Sequence, residues 1–127
     1  MKKLVYLVFI LVALFSTYSC KKDSTDFQIE YKIEPADNYI IEISYNDQTG
    51  NLKVLTDLSQ LSDGTATISV TQTPFIAKLK IKVNNTLNVQ LSYTLFISVN
   101  GQIKSYTTIT APPMTVLTEG QIEYTVN

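Results

Sequence analysis

The sequence predicts an all-β fold, an antiparallel sandwich of seven to eight short strands. Three observations predict it. From Phe27 onward, apolar residues alternate with polar ones instead of recurring at helical spacing. β-Branched and aromatic residues fill the alternating runs. Gly, Pro, Asn and Asp break those runs at strand-like intervals. One apolar face per strand needs a second sheet to bury it.

Each element follows from that period. In Phe27–Glu34, the residues Phe27, Ile29, Tyr31 and Ile33 share one face, and Gln28, Glu30, Lys32 and Glu34 the other. Pro35-Ala36-Asp37-Asn38 ends this strand. Tyr39–Tyr45 is the second, with Ile41, Ile43 and Tyr45 inward and Ile40 outward. Leu52–Leu58 is the third, with Leu52 and Val54 inward. After the turn at Asp63-Gly64, Thr65–Val70 carries Ala66, Ile68 and Val70. Pro74 opens the fifth strand, where Phe75, Ala77, Leu79, Ile81 and Val83 alternate with Ile76, Lys78, Lys80 and Lys82. Leu87–Val99 is the sixth, with Phe96 on its outer side, and Gln102–Thr110 the seventh. Past Pro112-Pro113, short apolar runs at Met114–Thr118 and Ile122–Val126 finish the chain.

Face matching sets the expected registers, because a slip of one residue sends every side chain to the wrong side. A four-residue loop at 47–50, with Gly50 left-handed, pairs Tyr45 with Leu52 and Ile43 with Val54. At Asn100-Gly101 a two-residue type I′ turn would set Ile103 opposite Ser98, on the outer face. A three-residue loop at 99–101 is therefore preferred, pairing Ile97 with Ile103 and Leu91 with Ile109. Asn84-Asn85-Thr86 is either a hairpin within one sheet or an arch between sheets.

Composition removes much chemistry. The 127 residues carry a formal charge of −1, with one Cys, no His and no Trp, and every basic residue is Lys. No His is present for acid–base work near neutral pH. One Cys without His cannot build a usual zinc site. No basic cluster large enough for a phosphate backbone occurs, so no nucleic acid partner is expected. Asn46-Asp47-Gln48-Thr49-Gly50 has a single carboxylate, too few for calcium. Glu30 and Glu34 are ~13 Å apart along a strand, too far for a glycosidase pair. No motif marks a Ser or Thr nucleophile. The expectation is a non-enzyme with no cofactor, no metal and no catalytic residue.

The N-terminus reads as an address. Met1-Lys2-Lys3 precedes the apolar run Leu4–Phe15, which is shorter than the ~20 residues a spanning helix needs. A basic head, a short apolar stretch and small residues before a cut make a secretory signal. Ser16-Thr17-Tyr18-Ser19-Cys20 resembles the lipobox of bacterial lipoproteins, where the chain is cut before the Cys and its thiol takes a diacylglycerol. Ser19-Cys20-Lys21-Lys22-Asp23 is similar to the start of many Bacteroidota lipoproteins. The implied organisation is a signal peptide at 1–19, a lipidated Cys20 with a flexible tether at 20–26, and a sandwich at 27–127. Acyl chains at ~0.8 kcal/mol per buried CH₂ would hold Cys20 in a membrane.

Two hairpins carry a second resemblance. Ile43-Ser44-Tyr45-Asn46-Asp47-Gln48-Thr49-Gly50 is similar to the I-x-Y-x-D-x-x-G hairpin of MmpS-type membrane-anchored proteins, and Ile97-Ser98-Val99-Asn100-Gly101-Gln102-Ile103 to their I-x-V-D/N-G-K-V hairpin. Tyr31-Lys32-Ile33 falls where that family has Y-x-V. The resemblance spans Tyr31 to Ile103 and implies a small Ig-like β-sandwich tethered at its N-terminus. Mycobacterial members of that family assist large transporters that export lipids and siderophores. The family brings no catalytic residues.

Two surfaces are candidate contacts. Phe96 and Tyr106 fall on one side of the expected hairpin and form a candidate aromatic binding patch. Lys78, Lys80 and Lys82 form a basic row, either a solubilising face or a docking face for an anionic partner. The expected function is non-catalytic binding, adaptor or structural work at the cell envelope. The expected place is the outer membrane, on its surface or periplasmic face. The partners implied are the membrane, through acylated Cys20, and an envelope protein or a surface glycan. An accessory subunit of an MmpL/RND-like transporter is the alternative within that class. A carbohydrate-binding module or an envelope enzyme inhibitor is the alternative outside it.

Overall fold

A computed structural model describes residues 26–127. The expected signal peptide, Cys20 and the expected tether through residue 25 lie outside the described residues. Eight strands form: β1 (Phe27–Glu34), β2 (Ile40–Asn46), β3 (Leu52–Leu55), β4 (Thr65–Val70), β5 (Phe75–Asn85), β6 (Leu91–Val99), β7 (Gln102–Ala111) and β8 (Thr115–Val126). They make two four-stranded antiparallel sheets, ordered β4-β1-β6-β7 and β3-β2-β5-β8. The second order is that of the C′-C-F-G sheet of an Ig variable-type domain. β1 pairs with β4 as strands B and E do, and the β6–β7 hairpin stands where strand A would.

The core lies between the sheets. Ile29, Tyr31, Ile33, Leu95 and Ile97 from one sheet meet Ile43, Leu79, Ile81, Val83 and Ile122 from the other, all buried. The rings of Tyr31 and Tyr45 meet with centroids 5.2 Å apart. The Tyr31 hydroxyl donates to the carbonyl of Asn46, so a polar tip ends inside the core without an open hydrogen bond.

The period-two reading places β1 and β4 at their observed bounds and predicts the inward set of β5. Corrections come from single-residue events. Ile41 is an extra residue in β2, because Ile40 pairs with Val83 and Glu42 with Lys82. Ile40 is therefore buried and Ile41 is exposed, the reverse of the expectation. The β2–β3 loop has five residues, not four, and pairs Asn46 with Leu52. This turns Leu52 and Val54 outward and brings Lys53 and Leu55 to the inner side. The cause is Asp47. Its Oδ1 accepts from Thr49 N and Oγ1 and from Asn51 N at 2.9, 2.6 and 3.1 Å, which winds one more residue into the loop. Gly50 is left-handed there, at φ 82°.

The β6–β7 turn also corrects the preferred register. Asn100 and Gly101 both have positive φ and form the two-residue turn, with Val99 opposite Gln102 and Ser98 opposite Ile103. Ile103 does face outward. An extra residue, Lys104, then shifts the ladder, so Ile97 pairs with Ser105 and Leu91 with Ala111. Ile109 and Ala111 regain the core side through this bulge, while Tyr106 stays outward.

Three elements differ in extent. β3 stops at Leu55 and a 3₁₀ turn follows at Leu58–Gln60, capped by Asp57. β6 begins at Leu91, not Leu87, and the two runs of the tail join into β8. Residues 84–86 belong to an arch between sheets, since β5 and β6 lie in different sheets.

Candidate functional site

The outer face of the β4-β1-β6-β7 sheet holds the aromatic pair. Phe96 is half-buried on β6 and lies directly opposite Tyr106 on β7, with ring centroids 6.4 Å apart and planes 29° from parallel. Tyr106 is 70% exposed and Ile103 is 60% exposed. A hollow beside them is lined by Glu30, Lys32, Phe96, Ser98 and Ile103. Lys32 pairs with Glu34 on the same strand, and the carboxylate raises the affinity of the ammonium for its proton. The structure thus brings together the two aromatic residues that the sequence placed on one side.

The basic row lies on an inner strand. Lys78, Lys80 and Lys82 of β5 sit between β2 and β8. Lys82 meets Glu42 at 3.0 Å and Glu119 at 3.9 Å, and Lys80 meets Glu119 at 3.2 Å. Cross-strand carboxylates balance most of the row.

A cleft of about 1030 Å³ opens at the end of the sandwich where β1 begins. Its polar lining is Asn46, Gln48 and Thr49 from the β2–β3 corner and Ser69, Thr71 and Gln72 from the β4–β5 corner. Leu52, Pro74 and Ile76 supply apolar surface. Lys78 and Glu123, opposite each other on β5 and β8, close one side. Asn46 Nδ2 donates to the carbonyl of Ile76 at 2.8 Å, tying the two corners together where the β2–β5 ladder has ended. Sequence reasoning missed this cleft. Its walls come from three separated segments, and the one local signal was the Asn46–Gly50 run, read only as a turn.

Two tyrosines are shifted. Burial pushes the Tyr31 and Tyr93 hydroxyls above the ordinary tyrosine range, and for Tyr93 the hydrogen bond to Asp37 at 2.8 Å adds to it. Both act as fixed donors in the fold. Hydrogen bonds to Thr49 and to Ser59 hold the carboxyls of Asp47 and Asp57 below the usual range, and both groups serve their own loops. Among the described residues, no three His, Cys, Asp or Glu side chains come together as a metal site would require. No helix among them is long and apolar enough to cross a membrane.

The fold and surfaces define a two-sheet β-sandwich with one aromatic sheet face and one polar end cleft. No protein-family model matches the chain, and no curated protein matches it.

Proposed function

We propose that this chain is a non-catalytic lipoprotein of the bacterial cell envelope, in which acylated Cys20 holds a β-sandwich that works as a binding or adaptor module. The observation that carries the reading is the Phe96–Tyr106 pair on an outer sheet face that the core does not use. Aromatic residues exposed beside a polar rim supply contact area at low entropic cost. Lipid fixes location and raises effective concentration, and the sheet face makes the contact. A tether from Cys20 to Asp26 reaches about 20–25 Å when extended, at ~3.3–3.6 Å per residue.

A second reading, an accessory subunit of an envelope transporter, is favoured by the far end of the sandwich. Val89, Met114 and Val116 are 54, 68 and 78% exposed there. Wild type and Cys20→Ala are compared by intact mass and membrane partitioning. A photo-crosslinker is then placed at Tyr106 or Met114 in whole cells. Acyl mass lost in Cys20→Ala together with adducts at Tyr106 supports the adaptor reading. Adducts at Met114 alone move the contact to the far end and favour the transporter reading. Unchanged mass and partitioning in Cys20→Ala overturns the lipoprotein.

A further inference from the structure

The end cleft has the chemistry of a ligand site that the aromatic face does not share. We propose that it binds an uncharged oligosaccharide. The inference goes beyond the adaptor reading and does not depend on Phe96 or Tyr106.

The first argument is the donor set. Asn46, Gln48 and Gln72 bring amides, and Ser69 and Thr71 bring hydroxyls, while the Thr49 hydroxyl is engaged by Asp47 and Asn51 within its own loop. Each amide offers an acceptor beside two donors, a match for neighbouring hydroxyls on a sugar ring. Asn46, which also lines the cleft, uses its Nδ2 on Ile76, which leaves Oδ1 as its acceptor. Exposed Leu52 and Ile76 offer apolar surface to the C–H face of a ring, which gains from leaving water.

Charge gives the second argument. The lining holds one cation, Lys78, and one carboxylate, Glu123, on neighbouring strands. Their fields cancel at a distance, so neither anions nor cations are drawn in. At close range they remain a donor and an acceptor for hydroxyl groups.

Preorganisation is the third. The wall at 47–51 is set by the hydrogen bonds to Asp47 and by Asn51 Nδ2 donating to Thr49 Oγ1 at 2.9 Å. A site ordered before its ligand arrives loses less entropy on binding. The volume is at the top of the ~300–1,000 Å³ range of small-ligand sites and has room for several sugar rings.

The test is an NMR titration of the full chain in a sugar-free detergent. The soluble probes are neutral hexasaccharides: α1,4-, β1,4- and β1,3-glucans, a mannan and a chitin oligomer. A parallel arm uses vesicles with and without digalactosyl diacylglycerol, since a glycolipid headgroup offers the same chemistry. The expected result is saturable shifts at Gln48, Gln72 and Ile76 in one arm. They should be insensitive to added salt and weakened about tenfold or more in Gln48→Ala/Gln72→Ala. Neither residue has a side-chain hydrogen bond within the described fold, so the variant spectrum outside the cleft should match wild type. Shifts confined to Phe96 and Tyr106, binding that collapses with salt, or no shift with any probe would each overturn the proposal. None of those outcomes bears on Cys20.

Discussion

Gly120 of β8 lies against Ile109 of β7, so closely that a Cβ on Gly120 would stand 1.8 Å from Ile109 Cδ1 and 2.4 Å from Cγ1. The two strands edge different sheets, and this contact closes the sandwich on one side. Gly120 faces inward opposite Ile81, where any side chain would compete with Ile109 for one volume. Gly120→Ala should therefore cost about 1–3 kcal/mol by overpacking. Ile109→Ala alone should cost about 2 kcal/mol by leaving a cavity. In the double variant the new methyl fills space the isoleucine has left, so the combined loss should fall about 1 kcal/mol or more below the sum. Urea unfolding of the four proteins measures this, and strict additivity would show that the two side chains do not share the space.

Asn85 should be the most sensitive polar position in the fold. It is 1% exposed. Its Nδ2 donates to the carbonyls of Val89, Ala111 and Pro112, and its Oδ1 accepts from Leu87 N. The side chain thereby stitches the β5–β6 arch to the β7–β8 connection. Asn85→Ala strands buried backbone groups and should cost about 3 kcal/mol. Asn85→Asp replaces the donor with an acceptor among three carbonyls. Burial and those dipoles would raise its folded pKa above the unfolded ~3.9. The proton then favours the folded state, so this variant should gain stability relative to wild type as pH falls from neutral. A pH-independent loss by urea titration would contradict that picture.

The strands were legible in the sequence because burial of one face imposes a period of two, as in Phe27–Glu34 and Phe75–Val83. Registers were less so. Ile41, Lys104 and the fifth residue of the 47–51 loop are single-residue insertions, and each exchanges the faces of the residues that follow. Alternation alone does not register such an event, because side-chain hydrogen bonding by Asp47 or a bulge decides it. The Phe96–Tyr106 pair was legible because both residues break the apolar pattern on the same hairpin. The end cleft was not, since Gln48, Gln72 and Glu123 meet only after both sheets have formed.

Alkaline sensitivity should trace to Tyr93 and Tyr31. Burial raises both hydroxyls, and Tyr93 also donates to Asp37. A raised folded pKa means that this stability is fully present below the unfolded value of ~10 and is lost as pH rises above it. Urea midpoints should thus hold steady up to about pH 10 and fall beyond it. Tyr93→Phe should cost about 1 kcal/mol at neutral pH, for one hydrogen bond, and should make the alkaline decline shallower by one linked proton. An unchanged slope in Tyr93→Phe would show that its hydroxyl titrates alike in both states.

Asp47 should behave in the opposite sense at acid pH. Hydrogen bonds from the Thr49 side chain and backbone, then from Asn51, hold its carboxyl below the usual range. A depressed folded pKa means that its contribution is present above the unfolded ~3.9 and is lost as pH falls through the folded value. The group is exposed, so the consequence is local: the 47–51 loop should loosen while the sheets persist. Asp47→Ala should speed amide exchange of Thr49 and Asn51 by about tenfold or more and leave β5 amides unchanged. Asp47→Asn keeps the acceptor oxygen without the charge and should fall between the two. Because Gln48 and Thr49 line the cleft, the same variants should widen its mouth and weaken any ligand held there. Exchange rates at Thr49 that do not respond to either variant would mean that the loop is held by its backbone hydrogen bonds alone.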